Sequence, residues 1–272
     1  MILEVKNLSC GYEGHKIVTG VSFQLGPKDI FCLLGPNGVG KTTLFKTILG
    51  FIKPLEGEMR LDGENILDWP RKKFARAIAY IPQTHTPAFP FTVRDVVIMG
   101  RTAQLGGFSS PGRKDREIAD ESLETLDIYS LKDRIYTQLS GGERQMVLIA
   151  RSLAQQAGIL IMDEPTANLD YGNQMKVLNQ IRSLAEKGLA IIMTSHDPNH
   201  AFLCSSKVLL MQKGNIIDCG TAQDVIKAER LRALYGITVK IIDTVSDENQ
   251  PTRVCVPFLG GTAKTAQAIN QS

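Results

Sequence analysis

What this chain lacks bounds it first. In its 272 residues no apolar run nears the ~20 residues needed to span a bilayer; the longest are strand-sized, such as Leu189-Ala190-Ile191-Ile192-Met193. Any service to a membrane is therefore expected to go through a partner, from the cytoplasm. The cysteines, Cys10, Cys32, Cys204, Cys219 and Cys255, include no C-x-x-C pair and no metal-ligand spacing. An odd set lying mostly in apolar runs fits buried thiols in a reducing compartment. Charge of one sign is also missing: the net value is +3, with Lys and Arg spread along the chain. That balance gives no footprint for nucleic acid, and the densest basic stretch, Arg71-Lys72-Lys73 with Arg76, reads as a solvated helix face. Met1-Ile2-Leu3-Glu4-Val5 enters a strand pattern at once, so no secretory leader is expected. The length suffices for a sizeable core, in one large domain or two smaller ones.

What is present centres on Gly35-Pro36-Asn37-Gly38-Val39-Gly40-Lys41-Thr42-Thr43. The apolar run Ile30-Phe31-Cys32-Leu33-Leu34 before it reads as a buried strand. Leu44-Phe45-Lys46-Thr47-Ile48-Leu49-Gly50 after it reads as a helix closed by a glycine. Strand, glycine loop and helix are the setting in which G-x-x-x-x-G-K-[ST] binds phosphate. Gly35, Gly38 and Gly40 let main-chain N–H groups approach phosphate oxygens where a Cβ would obstruct them. The helix start adds free donors and a positive partial charge. Lys41 is suited to the β- and γ-phosphates and the Thr42 hydroxyl to Mg²⁺. These residues predict a nucleotide site.

Other candidates lie at strand ends, where α/β sheets place ligands. Ile2 to about Leu34 reads as short strands with turns at Gly11, Gly14 and Gly26-Pro27, followed by a strand Gly57–Leu61 and the turn Asp62-Gly63. Tyr12, in the first of these segments, is either a platform for adenine or an ordinary half-buried tyrosine. Gln83 ends the strand pattern Ile78–Gln83 and is a Mg²⁺ or water contact, or a plain loop residue. From Thr92 to about Leu139, Val93, Val96, Val97, Ile118, Leu123, Leu126, Ile128 and Leu131 recur at helical spacing around the loop 106–112. This is the pattern of a helical insertion. Leu139-Ser140-Gly141-Gly142-Glu143-Arg144-Gln145 opens the next helix and is either a second anion-binding end or a helix cap. Ile159-Leu160-Ile161-Met162 ends in Asp163 and Glu164, two carboxylates that are costly there unless they meet a cation or do chemistry. Asp163 fits a Mg²⁺ contact and Glu164 a base for an attacking water. His196, ending the strand 189–195, is a capping residue or a γ-phosphate contact. Val208–Met211 and Ile216-Ile217 close the sheet.

Taken in order, Gly35–Thr43, Gln83, Leu139–Gln145, Ile159–Pro165, Asn168-Leu169-Asp170 and His196 resemble the nucleotide-binding subunits of ABC transporters, over nearly the whole chain to about residue 235. The Leu-Ser-Gly-Gly-Glu-Arg-Gln stretch is the most specific element. The resemblance implies an α/β fold: a P-loop NTPase (RecA-like) core with an antiparallel β subdomain and a helical insertion subdomain. It places an ATPase domain at 1–236, with the insertion at about 86–155, and a C-terminal extension at 237–272. It implies ATP and Mg²⁺ as ligands and transport-coupled ATP hydrolysis as the activity. Tyr12 would stack on adenine, Lys41 and Thr42 would serve phosphate and metal, and Gln83 would link the metal to the insertion. Asp163 would bind Mg²⁺, Glu164 would be the general base and His196 would touch the γ-phosphate. Ser140, Gly141, Gly142 and Asp170 would act across the interface of a head-to-tail homodimer, on the ATP held by the other copy. The D-loop has Asn168 where alanine is more usual.

The same resemblance implies transmembrane permease subunits as partners, docked near Gln83 and Phe91–Arg101 on the cytoplasmic face of the membrane, with an external binding protein acting indirectly. The Phe91–Arg101 segment looks like importers of metal chelates (ferric siderophores, haem, cobalamin) or molybdate-type cargo. The alternatives are a zinc or manganese importer ATPase, or a soluble ABC-type ATPase acting on nucleic acid or ribosomes. The runs Val239–Ile242 and Arg253–Pro257 suggest a hairpin before a Gly/Ala/Gln-rich tail.

Overall fold

A computed structural model describes residues 1–83, 89–106, 109–245 and 251–258. The sequence-level expectations for residues 86–88, for 107–108 in the loop and for the tail from 259 fall outside them. The antiparallel opening is a hairpin of β1 (Leu3–Tyr12) and β2 (His15–Leu25), turning at Glu13 and Gly14, both with positive φ. Gly11 is therefore not a turn. It lies inside β1, where an added Cβ would come within 1.8 Å of the His15 carbonyl oxygen, so glycine serves close approach there.

After β3 (Ile30–Leu34) and α1 (Lys41–Ile48), β4 (Glu56–Leu61) and β5 (Glu64–Asn65) complete a four-stranded sheet in the order β2-β1-β4-β5. α2 (Arg71–Ala77) leads into β6 (Ile78–Ile81). Its basic residues Arg71, Lys72, Lys73 and Arg76 are exposed, as a solvated face requires, and are tethered at the surface as well. Lys73 pairs with Glu64 and lies over the Trp69 ring, Arg76 donates to the Ala103 carbonyl at 3.1 Å, and Lys72 donates to that of Leu105.

The helical insertion is built from α3 (Val93–Ile98), a 3-10 turn at Met99–Ala103, α4 (Arg113–Thr125) and α5 (Gly141–Ala154). Thr92 and Asp95 cap α3 reciprocally. The residues predicted from spacing do face inward: Val93, Val96, Val97, Ile118, Leu123 and Leu126 are buried, whereas Ile128 and Leu131 are half-buried. Buried Arg101 pins the insertion, donating to Asp115 at 2.9 Å and to the Ala154 carbonyl at 2.6 Å.

The chain then returns to the main sheet through β7 (Ile159–Met162), α6 (Tyr171–Glu186), β8 (Ala190–Ser195), α7 (Pro198–Cys204), β9 (Lys207–Gln212) and β10 (Asn215–Gly220). Strand order is β10-β9-β3-β8-β7-β6, parallel except at β10. The continuous apolar runs are explained by two-sided burial. Cys32, Leu160, Met162 and Ile191 enter the core shared with the helical insertion. Phe31, Leu33, Ile161 and Ile192 enter the core shared with α1 and the antiparallel sheet.

After α8 (Ala222–Val225) and α9 (Ala228–Tyr235), a hairpin of β11 (Thr238–Val245) and β12 (Pro251–Phe258) packs on α7 and α9. All five cysteines are free. Cys219 departs from the expected burial: it is exposed because β10 is an edge strand. Among the described residues no helix is long and apolar enough to cross a membrane.

Candidate functional site

The loop after β3 curls around its own main chain. Gly38 and Gly40 take φ of +81° and +105°, which other residues rarely adopt. Gly40 also packs closely, since an added Cβ would lie 2.5 Å from Val18 Cγ2. Gly35 has an ordinary φ but abuts the Met211 carbonyl, at 2.7 Å from an added Cβ. Val39 is buried and anchors the loop.

Asn37, Gly38, Gly40, Lys41, Thr42 and Thr43 line an open cavity of about 360 Å³ together with Gln83, Asp163 and Glu164. Ile17 of β2 also lines it, a residue with no polar signature to find in the sequence. Buried Lys41 donates to the carbonyls of Gly35, at 2.5 Å, and Pro36, at 3.3 Å. Its Nζ lies 3.6 Å from Glu164 Oε1. Burial pushes the Lys41 pKa down, and the Glu164 carboxylate works against that shift.

Both acids follow directly from β7. Asp163 N–H donates to the Ile81 carbonyl at 2.9 Å, continuing the sheet toward β6. Burial raises the Asp163 pKa, and Glu164 adds to the effect. Glu164 itself sits at φ +45°, a left-handed conformation for a residue with a side chain. What holds both is Thr194. Its hydroxyl donates to Asp163 Oδ1 at 2.8 Å and accepts from Glu164 N–H at 2.7 Å. The second oxygen of Glu164 receives Gln83 Nε2 at 3.3 Å and lies 3.5 Å from His196 Nδ1. Lys41, Gln83 and His196 thus meet around the Glu164 carboxylate, and Asp163 is joined to Glu164 through Thr194.

Thr194 was not singled out by sequence reasoning, nor was the buried His200. Thr166 Oγ1 and Ser195 Oγ lie 3.3 and 3.2 Å from His200 Nδ1, joining the segments after β7 and β8. The only hint was a run of hydroxyls and imidazoles after an apolar strand.

The remaining candidates stand apart from this cavity. Exposed Tyr12 closes β1 opposite His15 and does not line it. Ser140 is a helix cap: its hydroxyl accepts from Glu143 N–H at 3.3 Å and its N–H donates to Glu143 at 2.8 Å. A Cβ on Gly142 would come within 2.5 Å of the Asn173 side chain, and one on Gly141 within 3.3 Å of Leu169. Asp170 caps α6 by accepting from Asn173 N–H at 2.9 Å. Residues 140–142 and 168–173 therefore form one packed unit that contributes nothing to the cavity at Lys41.

Among the residues lining the cavity, Thr42, Gln83 and Asp163 offer a hydroxyl, an amide and a carboxylate, and none of the lining residues is a cysteine or histidine. That is a set of hard oxygen ligands, which fits Mg²⁺ shared with substrate phosphates.

Residues 18–167 match the model of the ABC transporter family. The chain is 39% identical to the probable iron chelatin transport ATP-binding protein of Helicobacter pylori, over 89% of this chain and 96% of that one. It is 37% identical to the hemin import ATP-binding protein of Pseudomonas entomophila, over 88% and 94%. Among solved structures it resembles one described as a metal-chelate type ABC transporter in an inward-facing conformation. The TM-score is 0.83 at 31% identity, covering 94% of this chain and 97% of that one.

Proposed function

The chain belongs to the ABC transporter ATP-binding family, and from that premise we propose that it drives a metal-chelate importer, as the peripheral motor on the cytoplasmic face of the membrane. Subunits of this family bind and hydrolyse ATP and work with transmembrane permease components. The observation that carries the assignment of the hydrolysis site is the convergence of Lys41, Gln83 and His196 on Glu164, at the mouth of a glycine-lined cavity. The cargo class, a ferric siderophore, haem or cobalamin, is supported by the names of the similar proteins and by the Phe91–Arg101 segment. A zinc, manganese or molybdate-type cargo, or a nucleic-acid substrate, has no support from the names of those proteins.

In this reading phosphate oxygens replace the Gly35 and Pro36 carbonyls on Lys41, and the main-chain N–H groups of 38–43 cradle the phosphates. Thr42, Gln83 and Asp163 hold Mg²⁺, which when bound offsets phosphate charge. Glu164 accepts a proton from the attacking water, with Gln83 and His196 orienting its Oε2. Tyr12 stacks on adenine from outside the cavity. Residues 1–236 are the ATPase domain, with the insertion at about 86–155 as the permease-facing part; 237–272 form an extension.

Ser140, Gly141, Gly142 and Asp170 complete the site of a second copy in a head-to-tail homodimer. Their packing as one unit away from Lys41 supports this. Light scattering of Glu164→Gln with and without Mg-ATP tests the reading. An ATP-dependent shift from monomer to dimer is expected. A variant that hydrolyses ATP at the wild-type rate would remove Glu164 as the base.

A further inference from the structure

His196 has a loose side chain on a tightly held main chain. The ring is 55% exposed and its described contact is the approach to Glu164. The carbonyl of His196, however, accepts from Tyr235 Oη at 3.0 Å. Tyr235 closes α9 immediately before Gly236, whose φ of +72° turns the chain into β11.

Three residues beyond His196, Asn199 pairs in both directions with Cys255 of β12. The Cys255 N–H donates to Asn199 Oδ1 at 2.7 Å, and Asn199 Nδ2 donates to the Cys255 carbonyl at 3.2 Å. Cys255 faces Ile241 across the hairpin, and both its main-chain groups turn away to the amide, which stands in for a neighbouring strand. Between these two anchors the segment is closed internally. Asp197 N–H donates to Ser195 Oγ at 3.0 Å, and Asn199 N–H donates to Asp197 Oδ1 at 2.8 Å. A cavity of about 220 Å³ beside these contacts is lined by His196, Tyr235, Val239 and Cys255 among others. Two anchors therefore reach the His196 main chain: the hairpin through Asn199, and α9, which leads into the hairpin, through Tyr235.

We propose that the C-terminal hairpin, together with the end of α9 that leads into it, is a positioning element of the hydrolysis site: through Asn199 and Tyr235 they set where the backbone carries His196 relative to Glu164. The proposal rests on His196 acting on the nucleotide. It places Asn199 and Tyr235 as positioning residues, neither of which touches the phosphate cavity.

Steady-state ATPase kinetics of the full chain test it. Asn199→Ala should lower kcat about fivefold or more, because small misplacements of catalytic groups are costly, while KM for Mg-ATP stays within about twofold. Tyr235→Phe, which removes one oxygen and keeps the ring, should move kcat in the same direction by less; it remains readable if Asn199→Ala unfolds. In a His196→Ala background both changes should alter kcat less than about twofold, since the residue they position is gone. Equal effects with and without His196 indicate a structural role and overturn the proposal. An impaired His196→Ala enzyme beside fully active Asn199→Ala and Tyr235→Phe enzymes overturns the hairpin's role alone. A fully active His196→Ala enzyme overturns the underlying reading of His196, and the proposal with it.

Discussion

Replacing Thr194 with Val tests whether one hydroxyl holds the carboxylates of Asp163 and Glu164. Thr194 is 1% exposed, and its oxygen serves Asp163 Oδ1 and Glu164 N–H at once. Valine matches the shape closely, so no cavity opens and the effect isolates the hydroxyl. Losing a hydrogen bond to a carboxylate costs about 1.5–3 kcal/mol, and leaving a main-chain donor without a partner about 1–3 kcal/mol. Asp163 borders the cavity and can recruit water, so the lower part of the sum applies, about 3 kcal/mol. The Glu164 N–H bond also restrains a residue at φ +45°, so its loss lets the Glu164 carboxylate drift. Turnover should then fall about tenfold or more. Thr194→Ser is the control: it keeps both hydrogen bonds and loses a methyl group, for about 1 kcal/mol. Urea unfolding at neutral pH gives the stability difference, and phosphate release gives the rate. The reasoning is refuted if Thr194→Val lies within about 0.5 kcal/mol of wild type at full turnover, or if serine is as damaging as valine.

Two further substitutions probe the loop and the buried acid. Gly40→Ala combines a left-handed backbone, about 1–2 kcal/mol, with a Cβ 2.5 Å from Val18 Cγ2, about 1–3 kcal/mol of overpacking. Gly38→Ala meets open space and carries only the backbone cost, so thermal unfolding should separate the two; equal shifts would contradict the packing argument. For Asp163, burial raises the folded pKa above that of the unfolded chain. The native state therefore binds the proton more tightly, and stability falls as pH rises from the ordinary carboxylate range through the raised value. Without nucleotide, Asp163→Asn should unfold at higher temperature than wild type at neutral pH, with the gap closing as pH falls, and should lose Mg-dependent hydrolysis. An Asn variant less stable at neutral pH would reverse the sign of the argument.

Much of the architecture was legible because the signals are local. Ile30–Leu34, Ile159–Met162 and Ala190–Ser195 are apolar at almost every position, which is what burial on both sheet faces demands. The helical spacing of Val93, Val96 and Val97 and the helix start at Ser140 were equally readable. Gly11 was misjudged because a glycine marks either a turn or a close approach, and the two differ only in what lies opposite. The basic face of α2 is solvated as read, but its partners at Ala103 and Leu105 are carbonyls some 27 and 33 residues away, which carry no sequence signal. The two runs 239–242 and 253–257 pointed to the hairpin, but not to its attachment at Asn199.

By itself the sequence determined the local elements of the glycine loop. A phosphate loop needs glycine φ values, a helix start and a lysine within a few residues, all written contiguously in Gly35–Thr43. Only the tertiary structure decided how those groups meet. Apolar on both faces, the buried strands give no pattern from which to read a register. It took the pairing of Met162 with Met193 to bring Thr194 alongside Asp163, and the packing of α7 on the C-terminal hairpin to place Asn199 against Cys255. Separations of 31 and 56 residues in the chain become 2.8 and 2.7 Å in space, and nothing short of the fold specifies that.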